Sequence, residues 1–249
     1  MAVRRRTAVS ATLLGLIAIA AAVAFAVVWG SVPERSAEER AVTIASLPCD
    51  NPRQSTSSGF VIDDRTIVTV AHAIYGSRDF AIQDADGVWY RPEIVRLDLE
   101  DDLAVLRVPE VRAGPMDVVP RRDVAAWPGT AVVLAEPAAS GTSLDATVLR
   151  RVKLSVAVVG DRDRVTERFG YELAVDILPG DSGAAVVDDT DGLVAVVFAQ
   201  STSREAIAWA IAADEIDLTS APIPDWDCNP VGSKELELEA PESLATADS

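Results

Sequence analysis

The chain has 249 residues, 49% of them apolar, with 39 acidic against 22 basic side chains and a formal net charge of −17. That length allows one large domain or two small ones with tails, and that apolar share can bury a sizeable core. So acidic a surface repels phosphate backbones and argues against nucleic acid as a partner.

Residues 8–29 form an apolar run without a charge, and about 20 such residues span a bilayer core. Arg4, Arg5 and Arg6 precede the run, while Glu34, Arg35, Glu38 and Glu39 follow it. The positive-inside rule then keeps residues 1–7 cytoplasmic and sends the remainder outside. A cleaved signal peptide is the other reading, with Ala24-Phe25-Ala26 as a small-x-small cleavage site. The length of the run favours a retained anchor, and both readings export the rest of the chain. The expected organisation is a cytoplasmic tip and anchor over 1–30, a polar stalk over 31–48, a folded domain over 49–228, and an acidic tail without structure over 229–249. Cys49 and Cys228 bracket the folded region. Outside the cell they meet oxidising conditions, so a disulfide between them is expected, with two free thiols as the alternative.

From residue 58 onward, short apolar runs alternate with turn residues. Runs at 59–62, 66–70, 79–83, 88–90 and 103–108 read as strands, with Asp63-Asp64 and Asp86-Gly87 as turns between them. A stretch at 113–128, rich in Pro, Gly and charge, reads as a linker. A second series of runs lies at 131–134, 146–149, 154–159, 184–187, 193–198 and 206–212. No amphipathic helix of three turns precedes residue 213, and many short strands at regular spacing argue for an all-β barrel or sandwich.

Three segments carry chemistry. His72, the single histidine, ends the strand in Thr69-Val70-Ala71-His72-Ala73, and imidazole is the side chain that exchanges a proton near neutral pH. Asp102 opens Asp102-Leu103-Ala104-Val105-Leu106, where a carboxylate can hold the tautomer of a histidine, or simply solubilise a strand end. Pro179-Gly180-Asp181-Ser182-Gly183 suits a tight turn that exposes a serine and aims backbone N–H groups inward, although the same residues make ordinary surface turns.

Together these segments resemble the trypsin-like serine proteases, most closely the HtrA/Deg type. The order His, Asp, Ser matches, as do Ser58-Gly59-Phe60-Val61-Ile62, the Thr-x-Ala-His segment and the Asp-Leu-Ala-Val-Leu segment. The resemblance covers about residues 55–215. It implies two packed six-stranded antiparallel barrels, at about 49–120 and 121–225, with a His72–Asp102–Ser182 triad between them and an oxyanion hole from the amides of Gly180 and Ser182. It also implies peptide-bond hydrolysis on a protein or peptide substrate, with no cofactor and no metal. Two features depart from the family. Ala184-Ala185 stands where Gly-Pro is usual, and there is no room for the PDZ domain that HtrA enzymes commonly carry. Asp181 resembles the aspartate that pairs with a newly cut N-terminus in trypsin, a pairing at odds with an N-terminal membrane segment. Asp176, six residues before the serine, matches the floor of the primary specificity pocket and would select Arg or Lys; a solvent-facing Asp176 with a small or apolar preference is the alternative. A non-catalytic binding module on the same fold remains the second functional reading.

Overall fold

The computed structural model describes residues 35–51, 53–119, 130–134, 143–226 and 228, the segment 130–134 by its backbone alone. The apolar run at 8–29 and the acidic tail at 229–249 lie outside the described residues. Among the described residues, no helix is long and apolar enough to cross a membrane.

The described chain is all-β. Strands β1 (Ala41–Pro48), β2 (Ser55–Asp63), β3 (Thr66–Thr69), β4 (Ser77–Gln83), β5 (Trp89–Tyr90), β6 (Glu93–Asp98) and β7 (Leu103–Arg107) form one antiparallel sheet in the order β5-β4-β1-β2-β3-β7-β6. Strands β8 (Thr130–Leu134), β9 (Ser143–Val158), β10 (Asp161–Ala174), β11 (Ala185–Val187), β12 (Leu193–Gln200) and β13 (Ile207–Ala212) close into a six-stranded barrel. The expectation of two closed barrels holds for the second only. The first sheet has seven strands and stays open, because its edge strands β5 and β6 do not pair with each other.

Residues 41–48, expected in a stalk, are the buried strand β1 at the middle of the first sheet. Thr43 and Ser46 break the apolar run there, yet both are buried. The two runs expected at 146–149 and 154–159 are one strand, β9, and its partner β10 was not expected at all.

Alternation along the strands builds two cores. On β11, Ala185 and Val187 face a core shared with the first sheet, while Val186 points into the barrel with Val148, Tyr171 and Leu173. Ile62, Ile67, Leu106, Leu193 and Ile211 meet in the shared core, so the barrel packs against the first sheet through apolar side chains from both. After β13 the chain returns to the first sheet. Ala221 N–H donates to the Val95 carbonyl at the β6 edge, and Arg96 pairs with Asp217 at 2.9 Å. The Trp226 indole donates to the Ser77 carbonyl at 2.9 Å. Cys228 then forms a disulfide with Cys49, the expected pairing.

Candidate active site

β2 and β3 form a hairpin whose open end carries the site. Beyond β3 the backbone makes a single 3-10 turn at Ala71–Ala73, which lifts His72 out of the sheet. The Ala71 N–H donates to the Asp102 carbonyl at 3.1 Å. His72 N–H donates to Asp102 Oδ1 at 2.9 Å, so the Asp102 carboxylate holds both the backbone and the ring of His72. His72 Nδ1 lies 2.9 Å from Asp102 Oδ2. The imidazole side chain is 40% exposed while that of Asp102 is 7% exposed. Asp102 itself adopts a left-handed backbone with φ 54, an uncommon conformation for a side chain larger than glycine. Such local strain is kept where surrounding structure over-determines it, and here three hydrogen bonds to residues 71–72 do so.

The Ser182 turn reaches the same end of the hairpin from the barrel. The Ser58 N–H donates to the Ser182 carbonyl at 2.8 Å, and Ser58 Oγ donates to the Gly180 carbonyl at 2.8 Å. Thr69 Oγ1 in turn donates to the Ser58 carbonyl at 2.6 Å. Thr69 is three residues before His72, so the network ties the serine turn to the strand that delivers the imidazole. Gly183 has φ +93, and a Cβ there would overlap the Ser58 carbonyl oxygen and stand 2.5 Å from Thr69 Oγ1. Only glycine allows that approach. Ser182 is partly exposed, and its Oγ makes one long contact, 3.5 Å to the Phe198 carbonyl. Among the described residues, the Gly180 and Ser182 amides donate to no protein acceptor, whereas the neighbouring Asp181, Gly183 and Ala184 amides all do.

Asp181 is buried, and its Oδ2 accepts from the Leu178 N–H at 2.7 Å, a turn-internal role in place of a charged N-terminus. Asp176 is exposed between the buried side chains of Val175 and Ile177.

One residue of the site has no signal in the sequence. Arg168 on β10 is 3% exposed, and its Nη2 lies 3.8 Å from Asp102 Oδ2. Its Nη1 donates to the Glu100 carbonyl at 3.3 Å, and its guanidinium lies over the Phe198 ring at 4.5 Å. Burial pushes its pKa down, against the opposing pull of Asp102 and then Asp101 and Asp98. Burial likewise pushes the half-buried Asp101 carboxyl up, with Asp98 adding to the rise and Arg168 opposing it. The first half of β10 is a run of alternating charges, Asp161-Arg162-Asp163-Arg164, with no apolar pattern to mark a strand or single out one arginine.

Several known proteins are similar to this chain. Residues 57–196 match the trypsin-like peptidase domain. Serine protease Rv3671c of Mycobacterium tuberculosis is 28% identical over 181 residues, which is 72% of this chain and 45% of that protein. Protease Do-like 1, chloroplastic, of Arabidopsis thaliana is 24% identical over 170 residues, 66% of this chain and 38% of that protein. The chain thus spans less than half the length of these relatives. Among solved structures, the active form of the Rv3671c protease superposes with a TM-score of 0.66 at 22% identity, covering 93% of this chain and 96% of that one. An HtrA-type protease, AlgW, solved with a tripeptide, gives a TM-score of 0.59 at 16% identity over 72% of this chain and 57% of that one; likenesses at such identity speak for the fold alone. With its family match running from β2 into β12, across both sheets, the chain belongs to the trypsin-like peptidase domain family.

Proposed function

We propose that the chain is a serine endopeptidase in which Ser182 is the nucleophile, His72 the general base and Asp102 the residue that orients the base. The observation that carries this reading is the His72–Asp102 pair, a buried carboxylate 2.9 Å from Nδ1 of a half-exposed ring. With Asp102 ionised, Nδ1 donates to it, and the neutral ring keeps its lone pair on Nε2. Nε2 takes the hydroxyl proton as Ser182 Oγ bonds to the scissile carbonyl carbon. The carbonyl electrons move to oxygen, and the Gly180 and Ser182 amides, which have no other protein acceptor among the described residues, donate to that oxyanion. His72 returns the proton to the leaving amine, the peptide C–N bond breaks, and an acyl-enzyme remains. Water repeats the sequence and releases the acid.

The same reading puts the peptidase outside the cytoplasm, tethered by residues 8–29, with the Cys49–Cys228 disulfide as a mark of an oxidising compartment. Substrates are proteins or peptides. Because Asp176 is exposed, a small or apolar residue before the cut is the preference favoured, and Asp176→Ser is expected to leave the cleavage profile of a peptide library unchanged. A loss of Arg or Lys cleavage in that variant would restore Asp176 to the pocket floor.

A serine-directed fluorophosphonate tests the central claim. The wild type is expected to label at Ser182, and Ser182→Ala to lose both label and proteolysis, since loss of a triad member removes orders of magnitude of rate. Labelling that persists in Ser182→Ala, or a wild type that never labels, would overturn it. Protease protection on intact cells and on membranes tests the topology.

A further inference from the structure

We propose that Arg168 is a positioning residue for the His72–Asp102 pair: it crosses from the barrel to place a fixed positive charge behind the Asp102 carboxylate, so that His72 is oriented by a partner whose charge is partly offset. This rests on the reading of His72 as general base.

The geometry makes a purely structural role a poor account of this arginine. A buried guanidinium stabilises a fold only when its donors are closely paired. Arg168 Nε has no hydrogen-bond partner among the described residues, its Nη1 contact is 3.3 Å, and its approach to Asp102 is 3.8 Å. What the side chain delivers is charge at a chosen place. The other charged groups around it are already engaged or less buried. Asp98 pairs with Arg96 at 2.7 Å, the Glu100 carboxylate pairs with Arg164 at 2.7 Å, and Asp101 is only half-buried.

The arginine is held where it is by the whole β9–β10 hairpin. The Val159 N–H, at the hairpin tip, donates to the Leu99 carbonyl at 3.0 Å. Gly160 at the tip lies against the Tyr75 ring, three residues past His72. The barrel thus grips the 98–102 loop from outside while Arg168 meets Asp102 from within. Its ring partner Phe198 also supplies the carbonyl that Ser182 Oγ contacts at 3.5 Å.

The chemical consequence has a definite sign. A carboxylate beside an imidazole favours the imidazolium, and an imidazolium is no base. A cation on the far side of that carboxylate opposes the effect. Because His72 is the single histidine, its ring signals in a Ser182→Ala chain report this without any need for activity. Arg168→Met is expected to raise the His72 titration midpoint by about one pH unit, and Arg168→Lys to leave it within a few tenths. In the Ser182 enzyme the acid limb of kcat/KM should move by the same amount. Asp102→Asn/Arg168→Met, which removes both buried charges together, should titrate above Asp102→Asn alone, and it serves if Arg168→Met does not fold. A folded Arg168→Met whose midpoint is unmoved or lowered, or a double variant no higher than Asp102→Asn, overturns the proposal. A wild type without proteolysis would remove the proposed function but leave the titration to decide whether Arg168 tunes the ring.

Discussion

At Gly183, two constraints coincide: a left-handed backbone and a carbonyl oxygen where a side chain would begin. Neither can relax alone, because the Ser58 carbonyl is held by Thr69 Oγ1 and the Gly183 N–H donates to the Val197 carbonyl at 2.7 Å. Gly183→Ala is therefore expected to destabilise the fold by about 3 kcal/mol, combining left-handed strain with overpacking, and to abolish turnover. Denaturant unfolding checks the first effect, and a midpoint equal to the wild type would refute it. Glu172 offers a second residue-scale prediction. Its buried carboxylate accepts from Arg204 at 2.7 Å and from Arg150 at 2.7 Å. The Arg204 hydrogen bond, opposed by burial and aided by Arg150, holds its pKa below the ordinary glutamate range. A depressed pKa contributes stability above the unfolded value of about 4.3 and loses it as pH falls through the folded value. The stability gap between wild type and Glu172→Gln should thus be full at neutral pH and shrink as pH drops below about 4. A gap that stays constant down to acid unfolding would show that the ion pairs contribute nothing specific.

Strands whose sequence is an unbroken apolar run were legible as elements, and strands that lack such a run were not. β7 reads Leu103-Ala104-Val105-Leu106, an apolar run between turn signals, and β11 to β13 read likewise. β1 lies between neighbours on both sides and buries its polar Thr43 and Ser46, so alternation has no contrast to show. β10 fails for the opposite reason, because its first half is charged and exposed. Cross-strand pairs hold it to β9: Lys153 with Glu167, and Arg150 with Glu172. Such pairing depends on register, which a single strand's sequence does not contain. The hairpin tip provides the element-scale prediction. Gly160 has φ +81, and a Cβ there would overlap the Tyr75 ring. Gly160→Ala should lift the tip from Tyr75 and lower kcat, with little change in the stability of the barrel. Faster hydrogen exchange confined to residues 157–162 and 98–102 would be the signature; unchanged exchange there would refute it.

Over the whole molecule, the chain closes on itself. The segment 216–226 runs back across the first sheet from the Val95 carbonyl to the Ser77 carbonyl, and the disulfide fastens it beside β1 with Cα atoms 5.0 Å apart. The Trp226 and Tyr75 rings meet at 5.6 Å. The cross-link spans 179 residues, for which chain entropy gives about 5 kcal/mol as an upper figure. Reduction, or Cys49→Ser with Cys228→Ser, is expected to lower the unfolding midpoint markedly while leaving the His72–Asp102 pair formed in the folded fraction. Equal stability of the oxidised and reduced chains would show that the strap holds without its cross-link.

Local chemistry made the candidate site residues recognisable from sequence: a strand-end histidine, an aspartate heading an apolar run, and a serine in a Gly-Asp-Ser-Gly turn each announce themselves within five residues. The sequence likewise determined the β class, because period-two patterning is a property of neighbours along the chain. What the tertiary structure alone decided lies between segments distant in sequence. That Thr69, Ser58 and Gly183 lock together, that Asp176 faces solvent, that the first sheet stays open, and that Arg168 reaches Asp102 are all settled by which strands pair and in what register. A guanidinium on a strand of exposed charges looks like any other until the barrel turns it inward, because burial belongs to the packed molecule and not to the residue.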